Sequence, residues 1–161
     1  MRQGNRMLQH LYYPGFLTLA ILLTFILIPR EKYKQYFIYG FVLGGLGFLA
    51  INGLLNCLDL TWYTNGGIFQ VGDLNLLSPL TWVPVTMLFL RFLPQKSVFM
   101  YLYIFGFSVI GVFHGYVVHN AGLYDFQPWF YPFGSLFKHL GIFSLFAWVF
   151  TKTADEETRL R

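Results

Sequence analysis

Charge is what this sequence has least of. Only 11% of its 161 residues are Asp, Glu, Lys or Arg, against about a quarter in an ordinary soluble domain. That is too little to cover the surface of a water-soluble protein of this size. Cysteine is nearly absent as well. A lone Cys57 excludes an internal disulfide and any CxxC metal or redox motif, and reads as a small apolar residue at a helix end. The chain has no glycine-rich phosphate loop, no HExxH, no paired aspartates for diphosphate-bound magnesium and no GxSxG elbow. The net charge of +4 sits mostly at the ends and in short loops. With no basic stripe along an exposed element, a nucleic-acid partner is not expected.

What is present is apolar length. Hydrophobic residues make up 56% of the chain, and they recur in runs of about twenty, the number a helix needs to cross ~30 Å of hydrocarbon. The pattern predicts an all-α polytopic membrane bundle of five transmembrane helices, with the lipid bilayer as its first partner. The expected spans are residues 11–28, 36–55, 76–94, 98–118 and 129–150. Arg2 and Arg6 precede the first run as in a signal peptide. That run is longer than a signal-peptide core and ends at Pro29-Arg30 without a small-x-small cleavage site, so it reads as a retained span.

Two connections lack Lys and Arg altogether, and this sets the orientation. Arg30, Lys32 and Lys34 lie between spans one and two, Lys96 between spans three and four, and Lys152, Arg159 and Arg161 in the tail from residue 151. The other two connections carry only Asp59, Asp73 and Asp125. Basic loops stay in the cytoplasm, so the expected topology is N-out/C-in, with Arg2 and Arg6 on the less favoured side. The outer loop over residues 56–75 is long. Leu60 to Thr64 is strand-like, Asn65-Gly66 suits a tight turn and Ile68 to Val71 would return, which predicts a small outer hairpin or re-entrant cap.

Spans two and three also resemble spans four and five. Each outgoing helix gathers polar residues near its outer end, Asn52-Gly53 and Asn56 in one and His114-Gly115, His119 and Asn120 in the other. An acidic, aromatic stretch follows, and each returning helix opens with proline and tryptophan: Pro79, Trp82 and Pro84 against Pro128, Trp129 and Pro132. The reading is a parallel repeat of helical hairpins about an axis along the membrane normal.

Polar groups inside a membrane are costly and ask for a partner or a purpose. Asn52 and His114 fall in the outer third; Asn56, Asp59, His119, Asn120 and Asp125 fall at the outer boundary, with His10 at the start of span one. Together they suggest an outward-facing pocket for a small or lipidic ligand. His114 and His119 diverge on a regular helix, so they make no ideal metal pair, although with Asp59 and Asp125 they could hold a cation or relay protons. Lys138-His139 lies about ten residues into span five, where an ammonium costs ~2.5–3.5 kcal/mol. Thr81, Thr86, backbone carbonyls, an acidic ligand group or a partner subunit are candidate partners for it. If span five starts later, the lysine is instead interfacial. No cofactor is identified; His114 and His139 could in principle serve as axial haem ligands across neighbouring helices. Gly40-xxx-Gly44 with Gly47, and Gly111-xxx-Gly115, give small-residue faces for close helix packing. Aromatic residues at 21% would suit a flat ligand such as a quinone or isoprenoid, or an interfacial belt alone.

Three functions fit this pattern. One is a binding or transport-type bundle with Lys138 at the floor of its pocket. Another is a membrane enzyme on a lipid or isoprenoid substrate, with His114 or Asp125 in acid–base service. The third is an accessory subunit, docked on a larger complex or on its own copies. Tyr12-Tyr13-Pro14, Asp59, Phe92-Leu93-Pro94 and His119-Asn120-Ala121-Gly122 give a resemblance to a loose group of small five-span membrane proteins of spore-forming Gram-positive bacteria. The resemblance implies an architecture and a bacterial cytoplasmic-membrane location, with no activity and no site residue.

Overall fold

The structure is a computed structural model. It describes residues 3–65, 69–72 and 74–154, with side chains from Leu11 onward. The chain is mostly helical. Helix α1 (Gln3–Leu27) is followed by α2 (Arg30–Tyr39), which runs without a break through a π-helical segment (Gly40–Gly47) into α3 (Phe48–Cys57). Then come α4 (Leu77–Arg91), α5 (Ser97–Asn120) and α6 (Phe133–Thr153).

Three of these rods are long and apolar enough to cross a membrane: Arg30–Cys57, Ser97–Asn120 and Phe133–Thr153. Two others differ. Within the described side chains, α1 contributes the apolar stretch Leu11–Leu27. Helix α4 has 15 residues, about 22 Å at ~1.5 Å per residue, and most of them are buried. It packs against α1, α2, the π-helical segment, α3 and α6, so α4 is the centre of the bundle. Its neighbours can approach because of glycine. A Cβ on Gly44 would collide with the Trp82 carbonyl oxygen and with Thr86 Oγ1, so the π-helical segment lies backbone to backbone on α4.

Helices at the rim bury one stripe each. Tyr13, Ala20 and Thr24 form the inner face of α1, with Ile28 just past its end; Ile104, Ser108, Gly111 and Val118 form that of α5. On α6 the face comprises Ser135, His139, Ile142, Phe143, Phe146, Ala147 and Phe150. Their opposite faces carry exposed Leu22, Phe25, Ile26, Phe105, Ile110, Phe113, Phe137 and Trp148.

The connections after α3 and α5 differ from the sequence expectation. Strand β1 (Thr61–Tyr63) forms where expected, but it pairs antiparallel with β4 (Tyr124–Phe126) from the connection between α5 and α6. A hairpin does exist further on, between β2 (Gln70–Val71) and β3 (Leu74–Asn75). Residues 66–68 and 73, which carry part of the expected turn and return strand, lie outside the described residues. Asn65 has a positive φ of 52° as a turn would want. However, its side-chain amide and the Thr64 hydroxyl both donate to the Gly122 carbonyl, at 2.8 and 2.9 Å. Those bonds draw the strand across to the α5 end.

The β1–β4 ladder is two-fold symmetric about the Trp62–Asp125 pair. Each strand leaves its helix by the same cap: Asp59 (φ 54°) after α3 and Gly122 (φ 69°) after α5 adopt the left-handed conformation. The next residue then donates back into the helix, Leu60 to the Leu55 carbonyl at 2.9 Å and Leu123 to that of Val118 at 3.1 Å. The repeat noticed in the sequence is therefore matched in geometry at this clasp. It is not matched at the tryptophans. Trp82 is buried at 7% exposure whereas Trp129 is 71% exposed.

Candidate functional site

Beneath the clasp the core divides. One apolar cluster, with Phe48, Trp82, Phe89, Phe143 and Phe146, fills the far part of the bundle. A smaller one, with Tyr13, Tyr63, Val118, Leu123 and Tyr124, lies under the strands. Between them is a polar cavity lined by Asn52, Ser78, His114, Ser135, Lys138 and His139 with aromatic residues of both clusters. The space open to the centres of water-sized spheres is about 30 Å³, room for about two waters.

The sequence fixes these positions through its helical spacing. Asn52 stands five residues before the end of α3, and its Nδ2 donates to Tyr63 Oη at 3.1 Å. Tyr63 comes down from β1 and shares a 2.7 Å hydrogen bond with Ser78 Oγ on α4. On α6, His139 stands one turn after Ser135, and its Nδ1 lies 2.8 Å from the Ser135 carbonyl oxygen. A carbonyl can only accept, so Nδ1 carries the proton and Nε2 keeps its lone pair. His114 on α5 has its Nδ1 3.2 Å from Tyr12 Oη. Its ring packs between Phe16, at a centroid distance of 4.8 Å, and Trp82, at 5.6 Å.

Here the two halves of the bundle face one another. Counted back from the caps Asp59 and Gly122, Phe48 matches Gly111 and Asn52 matches Gly115, and all four line the cavity. Phe48 stacks on Trp82 at 4.2 Å, and Gly111 is covered by the His139 ring, which a Cβ there would meet at 2.5 Å. So the aromatic pair of one half is replaced in the other by a histidine on a glycine. A Cβ on Gly115 would meet nothing within 4 Å.

Of the residues expected from sequence, Asn52, His114, Lys138 and His139 come together at this cavity. Asn56, Asp59, His119, Asn120 and Asp125 do not line it. Asn56 donates to the Thr61 carbonyl at 3.3 Å. Asp59 is exposed at the α3 cap, and Asn120 is exposed at the end of α5. His119 Nδ1 lies 3.1 Å from the Tyr124 carbonyl and 3.4 Å from Asp125 Oδ1, and Asp125 accepts the Phe126 N–H at 2.9 Å. These groups hold the clasp together. The side chain of His10 lies outside the described residues.

Lys138 is placed differently from expectation. Helix α6 begins at Phe133, so Lys138 is in its second turn, nearer the clasp end than mid-span. The preceding Pro128 and Pro132 explain the later start, because proline cannot donate to a helical ladder. Neither threonine proposed as its partner binds it: Thr81 Oγ1 donates to the Ser78 carbonyl at 2.7 Å, and Thr86 Oγ1 has no hydrogen-bond partner. Among the described residues Lys138 has no ion pair or hydrogen bond. No group of three or more His, Cys, Asp or Glu is gathered there for a metal ion either. Trp82 packs against both imidazoles that the haem reading invoked, at 5.6 Å from His114 and 6.1 Å from His139.

Sequence reasoning missed Tyr13, Tyr63, Ser78, Trp82, Tyr124 and Ser135. A signal for two pairs was present. Ser78 precedes Trp82, and Ser135 precedes His139, by one helical turn at the start of each returning helix. Burial pushes Tyr63 in the clasp up to about 12 and also raises Tyr124, which lies opposite it in the ladder.

Comparison with known proteins finds no family model, no curated protein and no solved structure that matches this chain.

Proposed function

We propose that this chain is a small integral membrane protein of five spans, N-out/C-in, whose cavity binds a small or lipidic ligand from the outer side. Three rods of membrane length support the membrane setting. Helix α1, flanked by the basic loop at Arg30, and the enclosed α4 would complete the five. The connections that form the clasp lack Lys and Arg, and this charge pattern supports an outer position for it. The resemblance stated above would put the protein in a bacterial cytoplasmic membrane.

One observation carries the binding reading. A cation and two imidazoles converge with hydroxyls and an amide on a void between two apolar clusters. Polar and charged groups of this kind are expensive to bury without partners. A membrane enzyme is the second reading, favoured by the His139 Nε2 lone pair, which lies beside Lys138 as a general base would.

The test is native mass spectrometry of protein purified in mild detergent. Wild type should carry a bound species that Gly115→Leu, which fills the cavity from its open side, displaces. Equal occupancy in Gly115→Leu, or no bound species at all, would count against the binding reading.

A further inference from the structure

We propose that the cavity takes the carboxylate of a singly charged ligand, with Lys138 as its counter-ion; this rests on the reading of the cavity as a binding site. The first ground is charge. Lys138 is the only formal charge among the lining residues, and no Asp or Glu is among them. The described acids of the clasp are committed or remote: Asp125 is engaged by His119 and the Phe126 amide, and Asp59 is exposed at the α3 cap. Within the described residues the ammonium therefore has no counter-charge. An uncompensated ion at such a site is strongly destabilising, and one monoanion removes the imbalance.

Charge and donors narrow the class. A phosphate, with up to two negative charges, exceeds the single positive charge among the lining residues. The donors also suit two oxygens. Lys138 supplies charged N–H groups, and the Tyr63–Ser78 hydroxyl pair, held by Asn52, supplies a neutral O–H. Phe48, Trp82 and Val118 form an apolar wall along which a carbon chain can lie.

Thermal unfolding in lipid nanodiscs tests this with sodium octanoate, sodium acetate, sodium chloride and octanol as probes. Octanoate should raise Tm, and octanol of the same chain length should not. Lys138→Met should weaken the octanoate response roughly tenfold or more, the worth of a charged hydrogen bond, while Lys138→Arg keeps it. Acetate acting as well as octanoate marks a free small acid; octanoate acting alone marks a chain-borne one. Equal octanoate responses in wild type and Lys138→Met, no response to either acid, or an equal response to chloride overturns the carboxylate. If octanol stabilises wild type but not Gly115→Leu, the cavity binds ligands and only the carboxylate is wrong. If no probe distinguishes Gly115→Leu from wild type, the binding reading itself falls.

Discussion

Thr64 and Gln127 hold the same post on opposite strands of the clasp. The Thr64 N–H donates to the Leu123 carbonyl at 3.1 Å and its hydroxyl to that of Gly122 at 2.9 Å. The Gln127 N–H donates to the Leu60 carbonyl at 3.0 Å and its side-chain amide to that of Asp59 at 3.1 Å. Each residue thus closes the cap of the other half's helix. The two outer connections are tied into one lid above the cavity.

From that exchange, Thr64→Val and Gln127→Leu should each lower stability by about 0.5–1.5 kcal/mol, the net worth of one hydrogen bond. Unfolding in detergent measured by circular dichroism would show it. A loss at one site and none at the other would argue against equivalent roles.

The two caps make opposite forecasts. Asp59 holds φ 54° without glycine's freedom, while Gly122 holds φ 69° with it. Asp59→Gly should stabilise the protein and Gly122→Ala should destabilise it, each by about 1–2 kcal/mol, the cost of left-handed backbone for an L-residue. Thermal midpoints of the two variants should move in opposite directions.

Gly111 and Gly115 separate packing from space. Gly111→Ala drives a methyl group into the His139 ring, at 2.5 Å from Cδ2, and should cost about 1–3 kcal/mol as overpacking does. Gly115→Ala enters open space and should leave stability unchanged or slightly raised. Comparable losses in both would mean that the cavity closes in the membrane.

The proposed topology can be tested with the native cysteine. Cys57 is exposed at the end of α3, next to the clasp. A membrane-impermeant maleimide should label it in intact cells. Thr153→Cys in a Cys57→Ser background should label only after lysis. Labelling of Cys57 only after lysis would invert the orientation.

Alkaline pH should loosen the clasp. Burial raises the folded-state ionisation of Tyr63 and Tyr124 above the ordinary tyrosine value, so their contribution is complete below about pH 10 and declines as pH rises toward 12. The stability difference between wild type and Tyr63→Phe, followed between pH 7 and 11, should be constant at first and shrink only above about 10. A transition near neutrality would point to a histidine instead.

Apolar run length and the scarcity of charge were enough to determine a mostly helical chain with apolar helices of membrane length. They also marked four of the residues at its cavity, because Asn, His and Lys within apolar runs stand out against such a background. The strand at Thr61–Tyr63 was legible from its β-branched and aromatic residues. Its partner was not, because pairing with Tyr124–Phe126 depends on two distant helix ends lying side by side. Tertiary structure alone decided that α4 is the enclosed helix and that His119 and Asp125 serve the clasp. It also decided that Tyr63, Ser78 and Trp82 complete the site around Lys138. Spacing along one helix shows which residues share a face, but only packing shows what that face meets.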